Sequence, residues 1–225
     1  KVGISVSLSG QFRVQGKQAL TGLQAWAADV NVLGGVTVPD RAAAIPVSVV
    51  HHDDASRSDG ARIATERLII QDKVDLLLGP YSSVLTNAVI PVAEKYGSVL
   101  WNHGGAADGI YSQGHQWVVG ILTSASEYLV GLPSLVRNCA PDAGTLAIVR
   151  TVSGAFPRVV SSGLEGEAVR QGFETVMLNE YDPGITDFSS ILDAVEQAQP
   201  DVLVAVGRIY HDLLFAQQLS ERRFP

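Results

Sequence analysis

The chain is poor in cysteine, in charge and in the short signatures of catalysis. Cys139 is the single cysteine, which excludes an internal disulfide and a cysteine-based metal site and leaves the redox compartment unread. No run approaches the roughly 18 consecutive apolar residues that a membrane-spanning helix needs. Lys1 and Val2 lead straight into a strand pattern, so no signal peptide is expected within this sequence. A processed secreted protein and a cytosolic one would read alike here. Lys and Arg number 16 against 23 Asp and Glu, and the basic residues are scattered along a chain of net charge −7. That balance argues against nucleic acid or an anionic membrane as a partner, and leaves small neutral or zwitterionic ligands open. There is no G-x-S-x-G nucleophile turn, no phosphate loop, no G-x-G-x-x-G fingerprint and no supported Cys/His pair, so no enzyme and no cofactor are expected.

What is present is a large apolar fraction in an alternating pattern. With 46% hydrophobic residues in 225, the chain can bury a sizeable core, as one large domain or two smaller ones. Strand-like runs fall at residues 2–8, 45–50, 74–78, 98–101 and 117–121, with helical spacing between them at 16–33 (Leu20, Leu23, Ala27, Val30) and around Ala61, Ala64 and Leu68. Near residues 120–125 the pattern restarts. A helix runs through Leu129, Leu132 and Val136, with Pro133 either kinking it or marking its true start. Strands follow at 146–149, 174–178 and 202–206. Helices are expected at about 158–171, around Phe188, Ile191, Leu192 and Val195, and from about Tyr210 onward. This alternation predicts mostly parallel sheets with helices on both faces, in two lobes, 1–121 and 122–225, with ligands beyond the carboxyl ends of the strands. No sequence repeat is evident.

One stretch organises the first lobe. Residues 76–88 read LLLGPYSSVLTNA: a buried strand, a turn at Gly79-Pro80, two serines, then Leu85, Ala88, Val89, Val92, Ala93 and Tyr96 at helical spacing. The first N–H groups of a helix have no partner within it and carry the positive end of its dipole, so this corner suits an anion, typically a carboxylate. Ser82 or Ser83 can cap the helix while a spare hydroxyl reaches a ligand oxygen; the plainer reading is that both only cap. His51, His52, Asp53 and Asp54 fit no standard metal spacing, and adjacent strand residues point to opposite faces, so no metal is expected. Asp53 or Asp54 is read instead as fixing the turn and capping the next helix. Trp101 is expected to pack in preference to lining a cleft, Tyr81 to do either, His103 to be solvated or structural or to donate to a ligand oxygen, and Arg13 to lie on the surface or to pair with an acidic ligand.

Taken together, the strand-end motifs resemble type I periplasmic solute-binding proteins of the leucine/isoleucine/valine-binding branch. The resemblance is carried by Leu8-Ser9-Gly10 with Gly16 and Gly22, His52-Asp53-Asp54-Ala55, Gly79-Pro80-Tyr81-Ser82-Ser83, Gly104-Gly105-Ala106, Asp187-Phe188, and Asp201-Val202-Leu203-Val204 with Gly207. It runs along essentially the whole chain, in order. It implies a two-lobed α/β clamp that closes on an amino acid or related small carboxylate and delivers it to the permease of an ABC importer. By the same resemblance Ser83 bonds the ligand carboxylate with Tyr81 and Ser82 beside it. Gly104, next to Gly105, offers its carbonyl to the ligand ammonium, and Ala106 stands where the family has threonine. In the second lobe Phe156 matches an aromatic contact, and either Arg208 or Tyr210 faces the ligand. Arginine there would favour an acidic group on the ligand. The resemblance also implies a monomer in the periplasm or outside the cell, with or without a lipid anchor. The same clamp serves as the ligand-sensing part of receptors and transcriptional regulators, which is the alternative. Family members continue well past the equivalent of Pro225, so the chain is expected to be either a fragment or a form whose remainder was lost, and a fragment alone should expose apolar faces.

Overall fold

The structure is a computed structural model that describes residues 1–39 and 43–222. It divides into two compact units, Lys1–Leu122 and Thr123–Pro225.

In the first unit β1 (Val2–Val6) lies between β2 and β3, and the sheet order is β2-β1-β3-β4-β5 with every pairing parallel; the other strands are β2 (Val49–Asp53), β3 (Leu76–Leu78), β4 (Leu100–Asn102) and β5 (Val118–Gly120). Three helices connect them: α1 (Arg13–Val32), α2 (Ser58–Ile70) and α3 (Ser83–Tyr96). Parallel neighbours need right-handed crossovers, so the direction of each step across the sheet decides which face its helix covers. The β1 to β2 step goes one way and puts α1 on one face, where Leu20 packs with Ile4 and Val6. The steps to β3 and β4 go the other way. They put α2 and α3 on the opposite face, where Ala61, Leu68, Leu85, Val89, Ile90 and Ala93 meet Leu77 and Leu100.

Two boundaries differ from the sequence expectation for identifiable reasons. The second strand begins at Val49, not at residue 45, because Pro46 lacks an N–H and Ile45 is used elsewhere, in an antiparallel bridge to Val36 whose two N–H···O bonds are both 2.9 Å. The first strand stops at Val6, since the Leu8 N–H goes to the Asp53 carboxylate at 2.9 Å instead of to a ladder partner.

The second unit has the parallel order β7-β6-β8, with β6 (Thr145–Thr151), β7 (Glu174–Tyr181) and β8 (Val202–Val206). Its helices are α4 (Leu132–Cys139), α5 (Ala155–Arg170), α6 (Ser189–Ala198) and α7 (Ile209–Glu221). Pro133 lies in the first turn of α4, so it marks a start and not a kink. One face of β6 packs under Phe188, Ile191, Leu192, Val195 and Phe215, with Phe188 edge-on to both Tyr181 and Phe215. No helix of the described residues is long and apolar enough to cross a membrane.

The α1 side of the first sheet is covered only over β1 and β2. Along β3, β4 and β5 the register aligns Leu78 with Trp101 and Trp101 with Val119. On this side Leu76, Val99, Trp101, Val119 and Ile121 are all exposed. The expected packing of Trp101 is therefore not found, because no described helix lies over it. Adjacent positions of one strand thus differ sharply: Leu100 is fully buried and Trp101 is 38% exposed. In this 225-residue chain Leu100→Ala should cost about 2–5 kcal/mol in urea unfolding, by lost transfer energy and a residual cavity. Trp101→Ser should cost less than about 1 kcal/mol in the same measurement. Equal costs would mean that both faces are covered.

Candidate functional site

In a parallel sheet of order 2-1-3 the loops after the central strand and after its neighbour on the other side diverge, leaving a crevice beyond the strand ends. Phe12, from the loop after β1, and Tyr81, from the loop after β3, meet there edge-to-face at 5.6 Å. Tyr81 is half-buried by this contact.

The turn from β3 into α3 is held from two directions. Ser82 has φ 81° and ψ 146°, a region essentially restricted to glycine, and the strain is carried by its bonds. Its N–H donates to the Gly104 carbonyl at 2.9 Å, its carbonyl accepts from the Thr86 N–H at 3.0 Å, and its Oγ accepts from the Leu85 N–H at 3.4 Å. Ser82 is therefore the cap. Ser83 is not: its buried Oγ accepts from the N–H groups of Ala106 at 3.2 Å and Ala107 at 3.0 Å, joining α3 to the next loop. With two N–H groups on its lone pairs, the Ser83 hydroxyl keeps its own hydrogen to donate. Among the described residues the N–H groups of Ser83 and Val84 have no backbone acceptor. One hydroxyl and two amides at a helix start thus form a donor set for an anion.

The loop after β4 is organised by a residue that sequence reading passed over. Asn102 is fully buried; its Oδ1 accepts from the Gly105 N–H at 2.8 Å and, more weakly, the Gly104 N–H at 3.3 Å, and its Nδ2 donates to the Gly105 carbonyl at 2.7 Å and to Tyr111 Oη at 2.9 Å. The Tyr111 hydroxyl also donates to the Gly105 carbonyl at 2.8 Å. The signal was an Asn at a strand end before Gly-Gly, since only a carboxamide satisfies both an N–H and a C=O of such a loop. The loop lies so close to the serine turn that a Cβ on Gly104 would stand 2.5 Å from the Pro80 carbonyl oxygen, and one on Gly105 2.6 Å from Thr86 Oγ1. Ala106 is buried and contributes only its backbone. His103 places both ring nitrogens in the interior, so neither is open to a ligand oxygen.

The aspartates of the β2 loop fix the turn without capping α2, whose first residue follows Arg57 with no side-chain cap. Burial opposes the Asp53 charge, but the N–H groups of Ala55 and Leu8 and the Ser9 hydroxyl outweigh it and hold the carboxyl below its usual range. Burial dominates at Asp54 and raises it, in spite of bonds from Ser7 and Ser56. His52 Nε2 is 2.7 Å from Asp72, and no metal-holding group of His, Cys, Asp and Glu is found among the described residues. Arg13 is exposed at the start of α1.

In the second unit the equivalent crevice lies between the loops after β6 and β8. Arg208 reaches across it. Its guanidinium lies 5.7 Å from the Phe156 ring centre and donates to the Ser153 carbonyl at 3.4 Å, while Phe156 is edge-on to Tyr128 at 5.6 Å. Tyr210 points away, 67% exposed, against His211. Of the two candidates, the structure thus groups Arg208 with Phe156. Gly207 is hemmed in by the Tyr181 hydroxyl and the Asp212 carboxylate, where a Cβ would stand 2.2 and 2.4 Å from oxygen. Burial, together with the Asp212 charge, pushes the Tyr181 hydroxyl up to about 12.

Comparison with known proteins places this geometry. The chain is 24% identical over 228 residues to Leu/Ile/Val-binding protein homolog 8 of Brucella abortus (strain 2308), a match that covers 98% of this chain and 55% of that protein. The chain therefore spans about half the length of the curated relatives it matches. Among solved structures it is similar to a solute-binding protein of an ABC transporter from Rhodopseudomonas palustris BisB5 in complex with 3,4-dihydroxybenzoic acid, with TM-score 0.83 and 18% identity over 98% of this chain and 58% of that one. It is also similar to the branched-chain amino acid transporter substrate-binding protein LivJ of Streptococcus pneumoniae in complex with isoleucine, with TM-score 0.77 and 21% identity over 91% and 56%. The model of one family, described as periplasmic binding protein, matches residues 1–222. The chain belongs to the periplasmic binding protein family.

Proposed function

We propose that this protein captures a small carboxylate-bearing solute, an amino acid or an aromatic acid, outside the cytoplasm and presents it to the permease of an ABC importer. The observation that carries the reading is the donor set at the start of α3: the Ser83 hydroxyl hydrogen and the Ser83 and Val84 N–H groups lie together, and among the described residues no backbone acceptor takes the two amides. Isoleucine and 3,4-dihydroxybenzoic acid, the ligands of the two similar structures, differ in everything except a carboxylate. In this reading the carboxylate is what the corner takes, and Tyr81, Ser82 and the Gly104–Ala106 loop surround it. In the second unit Phe156 and Arg208 line that unit's own crevice. The guanidinium suits a second acidic or a hydroxyl group.

Calorimetric titration of the full-length gene product with amino acids and with benzoate-type acids tests this reading. Saturable binding of at least one is expected, and silence from both classes would overturn it. Ser83→Ala removes one hydrogen bond to a charged group, so a ligand found in that screen should bind at least about tenfold more weakly. The Ser82→Gly variant separates fold from binding. Glycine accepts the φ of 81° without strain and the lost cap costs only a few tenths of a kcal/mol, so its unfolding midpoint should match or exceed that of the parent. Asn102→Ala should lower stability by about 2–4 kcal/mol in urea unfolding, since it leaves loop amides and a carbonyl buried without partners.

A further inference from the structure

The loop that completes the carboxylate corner contains one titratable side chain whose ring nitrogens are both buried. His103 lies between Asn102, which organises the loop, and Gly104, whose carbonyl receives the Ser82 N–H. Both of its ring nitrogens are buried, and among the described residues the only group at hand for either is the Gly79 backbone, outside ordinary hydrogen-bond geometry. A neutral imidazole carries one donor and one acceptor, so with only the Gly79 backbone at hand at least one is unsatisfied in the closed loop. The charged form carries two donors and would be buried with no counter-charge. The influences on His103 are burial, which holds it below its usual 6.5, and the Gly79 backbone, which offsets part of that; no carboxylate or cationic side chain is among them.

We propose that His103 is a proton-sensitive latch on the ligand loop: neutral, it lets residues 103–107 close against Ser82 and Ser83, and protonated, it drives that loop open and loosens the ligand. This rests on the reading that a carboxylate is held at Ser83. The sign follows from linkage. The closed loop binds its proton more weakly than the open loop, where the imidazole meets water. The closed form is therefore intact above the ordinary histidine range and loses ground as pH falls from 6.5 toward the depressed value. Because the Ala106 and Ala107 N–H groups bond Ser83 Oγ, opening the loop removes the contacts that orient the carboxylate donor. Ligand carboxylates stay ionised above about pH 5, so they do not produce the same trend.

The test measures two things on the full-length protein between about pH 7.5 and pH 5, in the parent, His103→Gln and His103→Leu. One is hydrogen exchange at the amides of residues 104–107, corrected for the intrinsic pH dependence of exchange. The other is calorimetric affinity for the carboxylate identified in the binding screen. In the parent, loop opening should rise about tenfold across this range, and affinity should fall severalfold. Both should be flat in whichever variant folds, while His51, His52, His115 and His211 remain as internal controls. The same pH dependence in parent and variants overturns the latch. So does increased loop exchange with affinity unchanged. If no carboxylate binds at pH 7.5 the functional reading fails, and the exchange measurement, which needs no ligand, still decides whether the loop titrates.

Discussion

The first unit depends on one close approach of two backbones, the turn after β3 against the loop after β4. Glycine at 104 is what permits it, since any Cβ there would run into the Pro80 carbonyl. That proximity lets the Ser82 N–H reach the Gly104 carbonyl and lets Ser83 Oγ collect two amides at once. These bonds in turn hold Ser82 at a backbone conformation that costs of order 1–3 kcal/mol for a non-glycine residue. The strain is concentrated where the helix presents its free amides. A relaxed Ser82 would rotate the first turn of α3 and redirect the Ser83 and Val84 N–H groups, so the donor geometry and the strain are the same feature seen from two sides.

Most of the architecture was legible because it follows from periodicity. The helical spacing of Leu20, Leu23 and Ala27, or of Ala61, Ala64 and Leu68, put the buried faces where the structure has them. The strand at 202–206 was read to the residue, its run of Val, Leu and Ala being bounded by Asp201 and Gly207. What failed was local competition for backbone groups. The run at 45–50 looked like a strand, but Pro46 and the Val36–Ile45 bridge delayed pairing to Val49. Asp53 and Asp54 looked like helix caps, but their carboxylates were taken by the loop after β1 and by their own turn.

The site was legible as chemistry and illegible as accounting. Two serines after Gly-Pro at a strand-to-helix junction suggested an anion corner, yet their pattern alone did not say which of them caps the helix; the structure makes Ser82 the cap and Ser83 the bridge. Asn102 carried no motif, and its importance appears only when the hydrogen bonds of the Gly104–Gly105 loop are counted. His103 reads as an ordinary loop histidine until its nitrogens are found buried with, among the described residues, only the Gly79 backbone at hand. Each of these depends on which groups remain after the backbone has satisfied itself, and that remainder is a property of three dimensions.

The two units, which show no repeat in sequence, carry the same device. In each, a central strand is flanked by the next strand on one side and a later one on the other: β2-β1-β3 in the first, β7-β6-β8 in the second. In each, the loops that diverge from this arrangement are tied together by one aromatic contact, Phe12 to Tyr81 in the first and Phe156 to Arg208 in the second. The chemistry at the two crevices nevertheless differs in kind. The first offers neutral donors, hydroxyl and amide, whose strength comes from the helix start and from exclusion of water. The second offers a full positive charge on a planar fork, half-buried on a ring. Neutral donors fixed by backbone suit a carboxylate whatever side chain accompanies it, whereas a guanidinium on a flexible stem suits acidic or hydroxyl groups in varied positions.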